Sequence, residues 1–425
     1  MAVMRLPYGV DEVQFDVDES RLLDTLVPRE VRASEDAYSI TREALAHPVD
    51  GNRLPNFANK DATVAIIADD YTRPTPAGPI SRAILDELNS LGVDDSHVMI
   101  IIASGLHRGM DESELKSKFG RDVLRRVEVI PHDAWDDRQN EEVGRTSKGT
   151  PIWVNRRVLK ADFRITIGMI TAHFTAGYGG GPKTILPGVS GYRTIFYNHA
   201  NLQSSPSARI GIAKGNPSWE DAVEALRFLG PTLAVNVVLN MRNEVVRAFH
   251  GRAVASQQAA INLYHEIYAF KVNEKADIVI ASTNPEYFYL DQCLKTIVPM
   301  SMFVKDRGAR IIASPCNEHL GPSYLRELYY DSLGQTWPRP DAYEARMRNG
   351  ELKDVGDAVG ILKLLQSNNS DVFFVSDSSF EPDLTALGFA YRNSVQEALT
   401  DATQKLGNKS RVLIIPYGPI TLPIT

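Results

Sequence analysis

The chain has 425 residues, of which 43% are hydrophobic and 23% charged, and a formal net charge of -7. That length exceeds one ordinary hydrophobic core, so two domains are expected, with the composition of a soluble globular protein. The acidic balance, the lack of a long basic stripe and the absence of an apolar run of about 18 residues argue against nucleic acid and membrane as partners.

The opening residues carry no basic start followed by an apolar core, so no export signal is read and the cytoplasm is the expected compartment. Apolar runs at 62–68, 98–103, 127–130 and 163–167 read as buried strands. Helical patterns lie between them at 80–91, which ends at Gly92, and at 112–127. A hairpin is expected from 233–239 and 244–249 around Asn240-Met-Arg-Asn243, followed by a long helix over 253–272. Strands recur at 278–281, 309–313, 372–375 and 411–415, with a polar surface helix within 338–350. The pattern predicts two α/β domains, 1–272 and 273–425, Rossmann-like with mainly parallel sheets and with the site in the cleft between them. Cys293 and Cys316 are too few for a disulfide framework and match no zinc spacing, so each reads as a small buried hydrophobe.

The densest chemistry lies in Thr171-Ala-His-Phe-Thr-Ala-Gly-Tyr-Gly-Gly-Gly-Pro-Lys-Thr-Ile-Leu-Pro-Gly188, followed by His199. Glycines 179, 180 and 181 let the backbone close around a bulky anionic group, with Lys183 behind them and His173 and His199 flanking it. This is read as a cofactor site. A P-loop needs glycine before the lysine and a helix after it, whereas Pro182 stands at the first position and Pro187 and Gly188 interrupt the second. Asp69-Asp-Tyr-Thr-Arg-Pro-Thr-Pro76 follows a predicted strand, and its prolines stiffen a loop in which Arg73 can clamp a carboxylate. There, Asp69 or Asp70 could orient a histidine or cap the following helix. His107, in Ala103-Ser-Gly-Leu-His-Arg-Gly109, is expected at the same sheet edge as His173, a pair suited to two-sided proton chemistry. The remaining histidines, 47, 97, 132, 250, 265 and 319, read as structural. Gln292 and Lys295 would share one helical face and could bind a carboxylate. No G-x-G-x-x-G follows a predicted strand, so a nicotinamide dinucleotide site is unsupported.

Together these segments, with Gly105-Leu-His-Arg108, Gly179 to Gly188, His199 and Gln292-x-x-Lys295, resemble the lactate racemase family. Pro182 stands where the family more commonly has a small residue. The resemblance implies a nickel-pincer nucleotide, pyridinium-3-thioamide-5-thiocarboxylic acid mononucleotide with Ni(II), tethered at Lys183 and ligated by His199. It further implies Thr72, Gly179, Gly180 and Gly181 as cofactor-binding, His107 and His173 as alternating acid and base, and Arg73, Asp70, Gln292 and Lys295 as substrate-binding. The activity implied is inversion of C2 of a 2-hydroxy acid by reversible hydride transfer through a 2-keto acid, with maturation proteins supplying the cofactor. Two other readings stand beside it: a metal-dependent hydrolase built on Asp69, Asp70, His107 and His173, and a non-catalytic carrier of the nucleotide.

Overall fold

Runs of branched aliphatic side chains with no polar face make strands that must be covered on both sides, and this chain supplies two sets of them. The structure, a computed structural model, describes residues 1–424 apart from 322, 333–336, 353 and 368. Two compact units result, one formed by 29–267 and the other by 1–28 together with 268–425.

In the first unit the sheet order is Val245–Arg252, Thr232–Leu239, Phe163–Met169, Val64–Asp69, Val98–Ala103, Glu128–Pro131. Only the hairpin pair Thr232–Leu239 and Val245–Arg252 is antiparallel. Val64, Ile66, Ile67, Ile100, Ile101, Ile165 and Ile167 are fully buried, each contributing roughly 1.5–3 kcal/mol relative to exposure. Helix Ala77–Ser90 turns Ile80, Ile84, Leu85 and Leu88 inward. Helix Glu112–Arg126 starts on a capping box made by Asp111 and Glu114 and buries Phe119 and Val123. Gly78 permits the two helices to touch, since a Cβ there would lie 2.5 Å from the Phe119 carbonyl oxygen.

In the second unit the order is Ala390–Arg392, Asp371–Val375, Val304–Ala313, Ala276–Ser282, Val412–Ile415, Leu22–Thr25, all parallel. The expected division into 1–272 and 273–425 differs from this at the N-terminus. Leu22–Thr25 completes the sheet edge beside Val412–Ile415, and the hairpin of Ala2–Tyr8 and Asp11–Val17 inserts Leu6, Phe15 and Val17 into the same core. The connecting helix runs over Ala253–Tyr268, shorter than expected because Ala269–Lys271 pairs as a strand with Leu422–Ile424. The 338–350 segment holds the helix Pro340–Arg348, anchored by buried Tyr343 and Met347. Among the described residues no helix is long and apolar enough to cross a membrane.

Deleting residues 1–28 should therefore destabilise the unit holding 268–425 by roughly 5 kcal/mol, from the three core side chains removed. Hydrogen exchange should accelerate in Val412–Ile415 and Ala276–Ser282 but not in Val64–Asp69, whereas unchanged exchange in Val412–Ile415 would show that the N-terminal segment is dispensable.

Candidate active site

The central strands Phe163–Met169, Val64–Asp69 and Val98–Ala103 are neighbours in parallel register, with Asp69 opposite Ala103 and Ala68 opposite Ile167. Their carboxyl ends therefore release three loops at one edge of the sheet, the usual ligand edge of such folds. Two of the loops meet at Asp70. This carboxylate is 2% exposed; Oδ2 lies 2.6 Å from His107 Nδ1, and Oδ1 accepts from the Thr72 amide at 3.0 Å and the Thr72 hydroxyl at 2.5 Å. Burial by itself would raise its pKa, but His107, Thr72 and Arg73 outweigh that and hold it well below the usual carboxylate range. Arg73 Nη1 donates to the Thr72 carbonyl and hydroxyl oxygens, both at 3.1 Å.

An ionised Asp70 can only accept, so the short contact requires the proton on His107 Nδ1 and leaves the Nε2 lone pair available in the neutral ring. The exposed face of His107 is thus that of a base. His173 has the opposite arrangement. Its Nδ1 is met by the backbone amides of Ala176 at 3.1 Å and Thr175 at 3.3 Å and by the Thr175 hydroxyl oxygen at 3.2 Å, and the two amides, which can only donate, favour the ring proton on Nε2.

The third loop folds tightly rather than opening as a cradle. Gly180 and Gly181 take φ of 65° and 50°; a Cβ at 180 would stand 2.5 Å from Asn236 Oδ1, and one at 181 would stand 2.8 Å from Gln257. Asn236 Oδ1 accepts from the Gly181 amide at 2.9 Å, and Gln257 Nε2 donates to the carbonyls of Gly179 at 2.9 Å and Gly180 at 3.1 Å. Contacts inside the protein thus account for the missing side chains at 180 and 181. The short 3-10 turn Gly181–Thr184 then presents Lys183, and no helix continues past Pro187, as expected from the departure from a P-loop. His199 is buried within the π-helical turn Asn198–Gln203. Burial first, and the Lys183 cation second, push its pKa down to about 3, so the ring is neutral.

Gln292 and Lys295 belong to the other unit, on helix Leu290–Met300. They are brought together as the spacing predicts, with Lys295 Nζ 2.5 Å from Gln292 Oε1, while Glu286 also pairs with Lys295. The Gln292 amide is buried and donates to Tyr289 Oη and Asp291 Oδ2, both at 3.2 Å. Of the histidines read as structural, His132 and His250 are buried with carbonyl partners, Ser190 and Ala234.

Several supporting residues were missed from sequence. Lys118 Nζ reaches Asp69 Oδ1 at 2.7 Å and the carbonyls of Asp70 and Arg73 at 2.6 and 2.8 Å, although it lies on a helix 45 or more residues away. Gln203 accepts from the Thr175 hydroxyl at 2.8 Å and contacts the His199 ring, joining the two histidine segments. Only its i+4 spacing from His199 gave any signal.

His199 is buried and neutral, with Gln203 Nε2 at 3.3 and 3.4 Å from its two ring nitrogens, and a neutral imidazole is a donor suited to nickel. Among the described residues no group of three or more His, Cys, Asp or Glu is placed to hold a metal ion. The hydrolase reading needs such a group, whereas here Asp69 is paired with Lys118 and Asp70 with His107.

A family model described as the lactate racemase N-terminal domain matches residues 8–211. A lactate racemase of Thermoanaerobacterium thermosaccharolyticum is 30% identical over 98% of both chains. The chain belongs to the lactate racemase family. A second lactate racemase, from Lactiplantibacillus plantarum, is 28% identical over 98% of this chain and 99% of that protein. The solved structure of the T. thermosaccharolyticum lactate racemase apoprotein superposes with a TM-score of 0.91 at 27% identity, covering 100% of both chains. A crystal structure of a Thermotoga maritima protein, at 17% identity and a TM-score of 0.69 over 93% of this chain and all of the other, shares the fold.

The opposed tautomers are directly observable. Long-range proton–nitrogen spectra of the neutral protein should show His107 protonated at Nδ1 and His173 at Nε2; a proton on His173 Nδ1 would contradict the hydrogen bonding described.

Proposed function

We propose that this protein inverts C2 of a 2-hydroxy acid, with lactate as the reference substrate. The observation that carries the reading is the pair of histidines with opposed tautomers on loops from the same sheet edge, one backed by a buried carboxylate. Lys183 and the buried His199 are the residues proposed to hold a nickel-pincer nucleotide, the lysine by covalent attachment and the imidazole as metal ligand, with Thr72 of the 69–76 loop and Gly179, Gly180 and Gly181 of the Lys183 loop as the other proposed cofactor-binding positions. When bound, that group supplies a hydride acceptor for C2, which matters because the C2–H of a 2-hydroxy acid is too weak an acid for imidazole to deprotonate.

The chain's own residues handle charge and protons. Arg73 binds the substrate carboxylate through its guanidinium, and Gln292 and Lys295 carry the amide and ammonium that the family resemblance assigns to substrate binding. His107 Nε2 takes the hydroxyl proton as C2 is oxidised to the planar keto level, and Asp70 stabilises the imidazolium that forms. Restoring the alcohol from the other face requires a proton from His173 Nε2. His173 must then carry two protons, a form that its backbone amide partners at Nδ1 oppose, so the two directions differ in proton energetics although the overall equilibrium is unity. The fixed cations retain the keto acid between the two half-reactions.

The test is protein co-produced with the maturation machinery and offered single enantiomers of lactate and related 2-hydroxy acids. Optical rotation should decay to zero. His107→Ala should lower the rate by about 10²–10⁴-fold while nickel content persists, which separates a racemase from a carrier. Lys183→Ala should remove the covalent mass increment and His199→Ala should lower bound nickel. Nickel-free matured protein, or unaltered rotation with every acid tried, would overturn the proposal.

A further inference from the structure

The site loops are held from behind by one helix. From Glu112–Arg126, Glu114 takes Arg108 in a two-pronged ion pair at 2.6 and 2.8 Å, and that guanidinium lies 4.1 Å over the Tyr71 ring, tying the His107 loop to the Asp70 loop. One turn further on, the Lys118 side chain is 6% exposed, and all three of its ammonium protons have acceptors in the other loop: Asp69 Oδ1, the Asp70 carbonyl and the Arg73 carbonyl. An ammonium so enclosed has no hydration to fall back on, so its geometry and that of the loop fix each other. The two carbonyls are those of the residues whose side chains orient His107 and bind the anion. Asp69 is braced in turn by the Thr75 hydroxyl at 2.5 Å.

We propose that Lys118 is a positioning residue: by clamping the backbone at 70 and 73 it sets the Asp70–His107 contact and the aim of Arg73, without itself meeting substrate or cofactor. The inference rests on the racemase reading for its catalytic consequence, but not for its structural one. Deleting the lysine alone would strand the partly buried Asp69 carboxylate, so the informative comparison is Asp69→Asn with and without Lys118→Met, which removes the clamp against a background without that charge.

In apoprotein, the proton shared between His107 Nδ1 and Asp70 should give a strongly downfield resonance in wild type and in Asp69→Asn. It should be lost in Asp69→Asn/Lys118→Met at matched melting temperature. Lys118→Arg keeps the charge but presents its donors in a plane, and it should weaken the same resonance, giving a second reading if the double variant does not fold. In matured enzyme the double variant should show kcat/KM lower by on the order of 10²-fold than Asp69→Asn, with KM for the 2-hydroxy acid raised as well as kcat reduced. A folded variant lacking Lys118 that retains both the resonance and the kcat/KM of its background would overturn the assignment. Wild-type enzyme without racemase activity would instead count against the proposed function, leaving the resonance to decide the role of Lys118.

Discussion

A carboxylate buried at the end of a parallel strand cannot be left without partners, and the arrangement around Asp70 follows from that constraint. Its two oxygens are met by the His107 imidazole and by the amide and hydroxyl of Thr72, with Arg73 close enough to help keep it charged. Losing one of these partners would leave a buried carboxylate unsatisfied, so the ring of His107 is held in one orientation and one tautomer. A base is thereby made from a residue that is itself exposed on its outer face. His173, whose Nδ1 meets two backbone amides instead of a carboxylate, is held by the same logic in the other tautomer.

The fold makes this possible through adjacency. Three neighbouring parallel strands end together, so the Asp70 and His107 loops, 37 residues apart in sequence, meet without long excursions, and the helix Glu112–Arg126 braces both. The third loop is stiffened differently, by Asn236 and Gln257 reaching into the space that side chains at 180 and 181 would fill. Lys183 is thus carried on a turn whose backbone is already hydrogen-bonded, and the burial of His199 keeps its imidazole neutral, the state in which it can act as a metal ligand.

Much of this was legible in the residues. Val98–Ala103 has the expected bounds, and the Asp70, His107 and Lys183 segments stood out because each puts chemically active side chains among glycines or prolines directly after an apolar run. The N-terminal hairpin and the four-residue strand Leu22–Thr25 were not legible, since short edge elements with half-exposed faces lack the continuous apolar run of a buried strand. Nor were Lys118, Asn236 and Gln257: a polar residue on a helix or strand reads as solvated until the fold shows which distant carbonyl it meets. The spacing of Gln292 and Lys295 foretold their contact but not the carboxylate of Glu286 that shares the lysine.

If C2 is inverted through oxidation and reduction, the histidines move only the hydroxyl proton. The direct measurement is to racemise single-enantiomer lactate carrying deuterium at C2 with matured enzyme in ordinary water, and to follow isotope content and optical rotation together. Rotation should fall to zero while the deuterium stays on C2; inversion accompanied by washout of deuterium into the solvent would contradict the account, because it would mean that C2 loses a proton instead.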